Sequence, residues 1–294
     1  MKFFVTGTKG QLGFDVVREL ERRNIDYIAS GREEDSSKDY VQLDITDKAK
    51  VQAVIEDLRP DVIVHAAAWT AVDKAEDNRD EVFAINEGGT RNLAEAARSV
   101  GAKMIYLSTD YVFDGTGTAA WEADSKDFAP LNTYGESKLA GEKAVASLLD
   151  KFFIVRIAWV FGLNGNNFIK TMLNLAKKYA EIKVVNDQIG TPTYTVDLAR
   201  LLVDMALTDK YGYYHATNSE DTYISWYDFT KEIYRQAGLT TKVLPVTTAE
   251  YGLSIAKRPF NSRLSKQKLI EQGFSPLPLW QDALHRYLLE LGII

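Results

Sequence analysis

The sequence predicts an α/β protein: a doubly wound parallel sheet with helices on both faces, followed by a smaller C-terminal lid. Three observations lead there. Short apolar runs alternate with segments of helical spacing up to about residue 160. The first run, Lys2 to Val5, empties into Gly7, Gly10 and Gly13, and a helical pattern follows from Phe14 to Arg23. After Gly162 the alternation gives way to polar loops, aromatic-rich helical stretches and short strands. The expected division is residues 1–160 for dinucleotide binding and 161–294 for substrate binding, with about 196–216 rejoining the first part.

Composition narrows the class. The 294 residues are 46% hydrophobic and 26% charged, which allows a large core and argues against long disorder. With 35 basic and 41 acidic residues the net charge is −6, so no attraction to nucleic acid or anionic membrane is expected. The absence of cysteine excludes disulfides, thiolate nucleophiles and cysteine metal sites. Met1 to Gly7 carries no signal-peptide pattern and no apolar run is long enough for a bilayer, so a soluble cytoplasmic protein is expected.

Taken in order, Gly7-Thr8-Lys9-Gly10-Gln11-Leu12-Gly13 sits where a strand turns into a helix. Glycine allows the tight turn and a close backbone approach to a pyrophosphate, which the helix N-terminus stabilises. This is the Rossmann-type arrangement. Asp26 to Ser30 reads as the second strand and ends at Gly31-Arg32, where an adenosine ribose would lie. Arg32, helped by Lys9, favours the extra phosphate of NADP; the nearby Glu33, Glu34 and Asp35 weigh against it. NADPH is therefore the expected cofactor, with NADH as the alternative.

Val41 to Ile45 is a further strand, putting Asp44 and Ile45 near the adenine. Lys48 to Leu58 is a helix stopped at Arg59-Pro60. Asp61 to Val64 is a strand that runs into Ala66-Ala67-Ala68, small residues that permit close cofactor approach. Helix 84–100, strand 103–107 and strand 152–157 continue the alternation. In the second half, helices are expected at 168–179, 196–207, 225–236 and 279–291, with strands at 183–185 and 212–216.

The chemistry centres on Tyr134 and Lys138. Four residues apart, they share a helix face. A neighbouring ammonium favours the phenolate and so brings the phenol toward proton transfer at working pH. Thr109, after a strand, places a hydroxyl for a substrate carbonyl. The histidines at 65, 215 and 285 are scattered and have no metal-ligand spacing, so no metal ligand is assigned.

The glycine triplet, the hydroxyl after a later strand and Tyr-x-x-x-Lys together resemble the short-chain dehydrogenase/reductase superfamily, in its extended branch that acts on nucleotide sugars. Within that branch the sequence is similar to the dTDP-4-dehydrorhamnose reductase family. The likeness rests on Ala66 to Glu76, Ser108 to Gly115, Pro130 to Glu142, Asn186 to Thr193 and Arg258 to Ser265. It implies NADPH-dependent reduction of a C4 ketone, with Thr109, Tyr134 and Lys138 catalytic and Lys138 also on the nicotinamide ribose. Gly7, Gly10, Gln11, Leu12 and Gly13 would hold the pyrophosphate. Val72, Asp73, Asp110, Tyr111, Trp159, Asn167 and Arg258 match positions near the nucleotide-sugar substrate.

Related 4,6-dehydratases usually carry Asp-Glu after the equivalent threonine; Tyr111 here argues for reduction without dehydration. Some relatives hold magnesium at a dimer interface. Asp15 matches one such position, but the partners around Val196-Asp197 do not, which leaves magnesium doubtful. A homodimer is the family-level expectation. The alternatives are a non-catalytic regulatory subunit of the methionine adenosyltransferase type, and another nucleotide-sugar reductase or epimerase.

Overall fold

The computed structural model describes all residues, Met1–Ile294. The first half contains β1 (Lys2–Thr6), α1 (Gln11–Arg22), β2 (Asp26–Gly31), β3 (Tyr40–Gln42), α2 (Lys48–Leu58), β4 (Val62–His65), α3 (Val72–Ala75) and α4 (Arg79–Phe83). A π-helical stretch, Ala84–Gly89, leads into α5 (Thr90–Val100). Then come β5 (Lys103–Thr109), a 3₁₀ turn at Asp110–Val112, α6 (Thr133–Leu148) and β6 (Phe152–Ile157). The second half contains β7 (Val160–Phe161), α7 (Phe168–Ala176), β8 (Glu181–Val185), β9 (Ile189–Gly190), β10 (Thr193–Tyr194), α8 (Thr195–Ala206) and β11 (Gly212–His215). It closes with β12 (Ile224–Ser225), α9 (Trp226–Gln236), β13 (Lys242–Val246), α10 (Thr248–Tyr251), α11 (Gln267–Glu271) and α12 (Trp280–Glu290).

Seven strands form one parallel sheet in the order β11-β6-β5-β4-β1-β2-β3. Alternate side chains of each strand enter opposite cores. Phe3, Val5, Val62, Val64, Ile105, Leu107, Phe153 and Val155 face α1 and α8. Phe4, Ile63, Met104, Tyr106 and Ile154 face α2, α5 and α6. Strands buried on both faces read as near-continuous apolar runs, which is why they were legible. The chain leaves β1 toward β2 and β3, then restarts on the other side with β4. The strand ends of β1 and β4 therefore bound the crevice in which open α/β sheets bind ligands.

A separate core holds the rest of the second half. Phe161, Ile169, Met172, Phe229, Ile233, Trp280 and Tyr287 are packed together there. β8 pairs with β13, while β11 pairs with β6 and α8 packs on α1. No helix is long and apolar enough to cross a membrane.

Several boundaries differ from the sequence expectation. α1 begins at Gln11, so Gly13 lies within its first turn. The strand expected at 41–45 is Tyr40–Gln42, and Asp44 instead closes a turn by accepting from the Thr46 N–H and hydroxyl at 2.9 and 2.7 Å. The helix expected at 84–100 is preceded by α4 and begins with the π-helical stretch. β13 was missed because Pro245 reads as a strand breaker; in a two-stranded edge pair its missing N–H is tolerated.

Candidate active site

The turn after β1 is built by close backbone contact. Gly7 has φ +72°, and a Cβ there would lie 2.6 Å from the Ala67 nitrogen. A Cβ at Gly13 would lie 2.3 Å from the Gly7 carbonyl oxygen. Gly10 differs: its Cβ would touch only the Gly7 oxygen at 3.2 Å and otherwise enter open space. The Gly10 N–H donates to Gly7 and the Phe14 N–H to Gly10, but the N–H groups of Gln11, Leu12 and Gly13 have no acceptor in the protein. No acidic side chain occupies the first turn of α1. Unpaired donors at a helix start, beside a glycine that leaves space, fit a pyrophosphate.

Two cavities meet at this turn. One, of about 420 Å³, is lined by Ser30, Arg32, Leu43, Asp44, Ile45 and Ala67 among others. The other, of about 540 Å³, carries Gln11, Leu12, Gly13, Val72, Thr109, Asp110, Tyr111, Tyr134, Lys138, Trp159 and Arg258. Gly7, Gly10, Ala66 and Ala68 line both. A molecule with two ends and an anionic middle fits this shape.

In the smaller cavity charge is solvated. Arg32 is exposed, and Lys9 is tied to Asp35 while lying 5.5 Å from the Tyr40 ring centroid. In the larger cavity charge is buried. Tyr134 and Lys138 lie in the first turns of α6, which Asn132 caps by accepting from the Gly135 N–H at 2.8 Å. A Cβ at Gly135 would lie 2.3 Å from the Tyr111 carbonyl oxygen, so glycine lets α6 press on the 3₁₀ turn. The rings of Tyr134 and Tyr111 meet edge to face at 5.7 Å.

Burial dominates the titration here. It raises the Tyr134 phenol above its usual range, against a hydrogen bond with Thr109 that lowers it. It brings the Lys138 ammonium down to about 7, against the Glu142 carboxylate. The expectation that Lys138 draws Tyr134 toward phenolate is thus not met. Desolvation outweighs it, and the lysine sits over the Tyr106 ring at 4.1 Å. Burial likewise pushes Asp110 up to about 6. The Thr109 hydroxyl donates to Asp110 Oδ1 at 3.0 Å and accepts from the Tyr111 N–H at 3.3 Å. Asp110 Oδ2 and Ser108 Oγ are buried without a partner.

His65 is neutral, its pKa lowered to about 3 by burial and by Lys138. Its tautomer follows from counting hydrogens. Thr90 spends its proton on the Asn86 carbonyl at 2.7 Å, so His65 Nε2 donates to Thr90 at 3.0 Å. Nδ1 then accepts from Thr6 at 2.8 Å, and Thr6 accepts from the Ala67 N–H at 3.2 Å. The chain of bonds fixes the backbone between the two cavities.

Two expected substrate positions lie outside the cavities. Asn167 is committed to structure: its oxygen caps α7 by accepting from the Lys170 N–H, and its NH₂, with two hydrogens, is shared among Gln11, Gly162 and Tyr287 at 3.1, 3.0 and 2.8 Å. Its neighbour Asn166 lines the cavity instead. Asp73 accepts from Arg258 at 2.6 Å and from the Ala256 N–H at 3.1 Å, holding the loop that carries Arg258. Arg258 also reaches the Tyr111 hydroxyl at 3.3 Å.

Sequence reasoning missed Ser108, Phe168 and Trp226. Trp226 stacks on Trp159 with ring centroids 3.7 Å apart. Trp159 has φ +51°, unusual for a bulky residue. The available signal was an indole directly after the cap Ser225, with Asp228 closing the capping box. Asp15 is buried and bonded to Thr195 and Arg18 at 2.5 and 3.0 Å. No group of three or more His, Cys, Asp or Glu is placed to hold a metal ion.

Comparison with known proteins identifies the family. The family described as RmlD substrate binding domain matches residues 1–293. The dTDP-4-dehydrorhamnose reductase of Aggregatibacter actinomycetemcomitans is 41% identical over 96% of this chain and 97% of its own length. Among solved structures, a dTDP-4-dehydrorhamnose reductase from Clostridium acetobutylicum ATCC 824 superposes with a TM-score of 0.93 at 41% identity, covering 99% of this chain and 100% of its own. The dTDP-4-dehydrorhamnose reductase from Bacillus anthracis str. Ames, solved in complex with NADP, gives 0.91 at 42% identity, covering 98% of this chain and 99% of its own. A family match over residues 1–293 and relatives 41% identical over nearly the whole chain show that the chain belongs to the dTDP-4-dehydrorhamnose reductase family.

Proposed function

We propose that this protein reduces the C4 ketone of dTDP-4-dehydro-L-rhamnose to dTDP-L-rhamnose, with NADPH as the reductant, in deoxysugar and cell-surface polysaccharide biosynthesis. The observation that carries this reading is the larger cavity. It joins the glycine turn to Thr109, Tyr134 and Lys138, so that a dinucleotide and a carbonyl substrate would share one space.

Gly7, Gly10 and the free N–H groups of Gln11, Leu12 and Gly13 would hold the pyrophosphate. Arg32, Asp44, Ile45 and the Ala66-Ala67-Ala68 strand end would take the adenosine side. The bound nicotinamide supplies hydride to the ketone carbon. Tyr134 gives its proton to the ketone oxygen; burial keeps the phenol protonated, which suits an acid. The resulting phenolate is stabilised by Lys138 and the α6 N-terminus, and Tyr134 regains its proton from solvent. Thr109 donates to the same oxygen once its proton turns away from Asp110. Val72, Asp73, Tyr111, Trp159 and Arg258 would position the nucleotide sugar, with Arg258 on its phosphates. Residues 1–160 would serve the cofactor and 161–294 the substrate, with 196–216 belonging structurally to the former.

A cytoplasmic location and a homodimer complete this reading; light scattering decides the second. The direct test follows NADPH absorbance after adding dTDP-4-dehydro-L-rhamnose. Stoichiometric oxidation and an NMR spectrum of dTDP-L-rhamnose are expected. A different product configuration at C4 would assign another reductase of the branch. Absence of oxidation with both ligands bound would favour a regulatory binding protein.

A further inference from the structure

The catalytic helix carries a longer stripe than Tyr134 and Lys138. Glu142 is one turn beyond Lys138, so phenol, ammonium and carboxylate follow at four-residue spacing on one face of α6. Glu142 is 1% exposed and meets a 0% exposed arginine on the sheet below. Arg156 Nε donates to Glu142 Oε1 at 2.8 Å and Nη2 to Oε2 at 2.7 Å. Its remaining nitrogen donates to the Ala123 carbonyl at 3.1 Å, and Phe113, Phe128 and Tyr213 surround the guanidinium at 5.1 to 5.2 Å.

A pair this deeply buried seldom stabilises a fold more than apolar side chains of the same size would. Its placement gives another reason for it. Lys138 has no hydrogen-bonded carboxylate of its own; it has the face of Tyr106 and, one turn away, Glu142. Tyr106 reaches that position because residue 141 is glycine: a Cβ there would lie 2.2 Å from the Tyr106 hydroxyl. The hydroxyl donates to the Lys138 carbonyl at 3.2 Å, which locks ring and helix together.

We infer that Glu142, clamped by Arg156, is a positioning residue that supplies the counter-charge for the Lys138 ammonium. This rests on the catalytic reading of Lys138 given above. Without the carboxylate, desolvation would act unopposed and take the Lys138 proton at a lower pH than it does now. Arg156 fixes both carboxylate oxygens, so Glu142 cannot swing toward the cavity. The other groups facing Lys138 do not replace it. From its own helix there is the neutral Tyr134; from β4, the neutral His65; from β5 and its 3₁₀ turn, Tyr106, Thr109 and Tyr111, with Asp110, raised to about 6, engaged by the Thr109 hydroxyl rather than by Lys138; from the π-helical stretch and α5, the uncharged Asn86 and Thr90. Arg79 on α4 is spent on Glu136 at 2.6 Å, Asp73 on α3 is spent on Arg258, and β6 contributes Arg156 itself.

The experiment follows the Lys138 ammonium by NMR in lysine-labelled, cofactor-free protein as pH is raised, and in parallel the alkaline limb of kcat. Wild type is compared with Glu142→Gln/Arg156→Gln, which removes both charges and leaves no unpaired guanidinium. The double variant is expected to lose the Lys138 proton about one pH unit earlier, with its kcat limb displaced alike and activity regained at lower pH. KM for the sugar nucleotide is expected to hold. Glu142→Asp, which keeps the charge but draws it back, is expected to fall between the two. If the double variant does not fold, the Asp variant decides: a titration superimposable on wild type overturns the inference. A folded double variant with an unmoved Lys138 titration overturns it too. Wild type that titrates as described but does not turn over would instead remove the catalytic reading and leave the electrostatic coupling standing.

Discussion

The two cavities that meet at Gly7 and Gly10 handle charge in opposite ways. On the Arg32 side the charged groups stand in water, and Lys9 and Asp35 neutralise one another at the surface. On the Tyr134 side they are taken out of water: Lys138 falls to about 7, Asp110 rises to about 6 and His65 drops to about 3. Solvated charge suits grip on a charged ligand, at an energy that salt screens. Desolvation brings Lys138 and Asp110 near working pH, where protons move readily, and holds Tyr134 and His65 in their neutral forms. In the proposed function one sheet end thus provides a binding half and a reacting half, separated by a backbone turn.

Four substitutions probe that contrast, beginning with the largest effect. Tyr134→Phe removes the proton from the reacting half while keeping the ring that packs on Tyr111. Its kcat is expected to fall roughly 10²–10⁴-fold, with NADPH affinity retained by fluorescence titration. Near-normal turnover would show that another group delivers the proton.

Gly7→Ala attacks the turn between the halves. Its Cβ would strike the Ala67 nitrogen, and φ +72° is unfavourable for alanine. A stability loss of about 1–3 kcal/mol from conformation alone is expected in urea unfolding, together with at least tenfold weaker NADPH binding.

Asp110→Asn tests desolvation through stability. A carboxyl raised in the folded state, from 3.8 to about 6, penalises the fold once ionised. The penalty is absent below the ordinary carboxylate range and grows as pH rises from about 4 to about 6. The variant is therefore expected to gain about 1–2 kcal/mol over wild type at pH 8 and nothing at pH 4, while losing activity. An equal gain at both pH values would assign the effect to packing.

Arg32→Ala has the smallest expected effect. KM for NADPH should rise roughly three- to tenfold at low salt, KM for NADH should not change, and the difference should shrink as salt is added. A salt-independent loss would mean that Arg32 acts within a desolvated contact.

The same contrast explains what the sequence revealed. The binding half is local: β1, the glycines and α1 are contiguous, and strand-to-helix turns leave a compact signature. Tyr134 and Lys138 were legible because helical spacing brings them together. Glu142 completes the same stripe, but its meaning depends on Arg156, fourteen positions later on another element, and no spacing rule links the two. Trp226 reaches Trp159 across the whole second half, through two-stranded pairings too short to leave an alternation pattern. That Asn167 caps α7 while Asn166 lines the cavity was not legible, because a polar run does not say which member caps the helix. The direction of the Tyr134 shift was also beyond the sequence, since spacing gives the neighbour but not the depth of burial.

The central claim is that the larger cavity transfers hydride to the sugar ketone. Its most direct test is reduction of dTDP-4-dehydro-L-rhamnose with NADPH deuterated at the nicotinamide C4 in one configuration or the other, followed by NMR of the sugar. The account predicts that one of the two stereoisomers delivers its deuterium to C4 of dTDP-L-rhamnose and that Tyr134→Phe slows this transfer without redirecting it. Product formed with no deuterium at C4 from either stereoisomer, or no product from wild-type protein carrying both ligands, would contradict it.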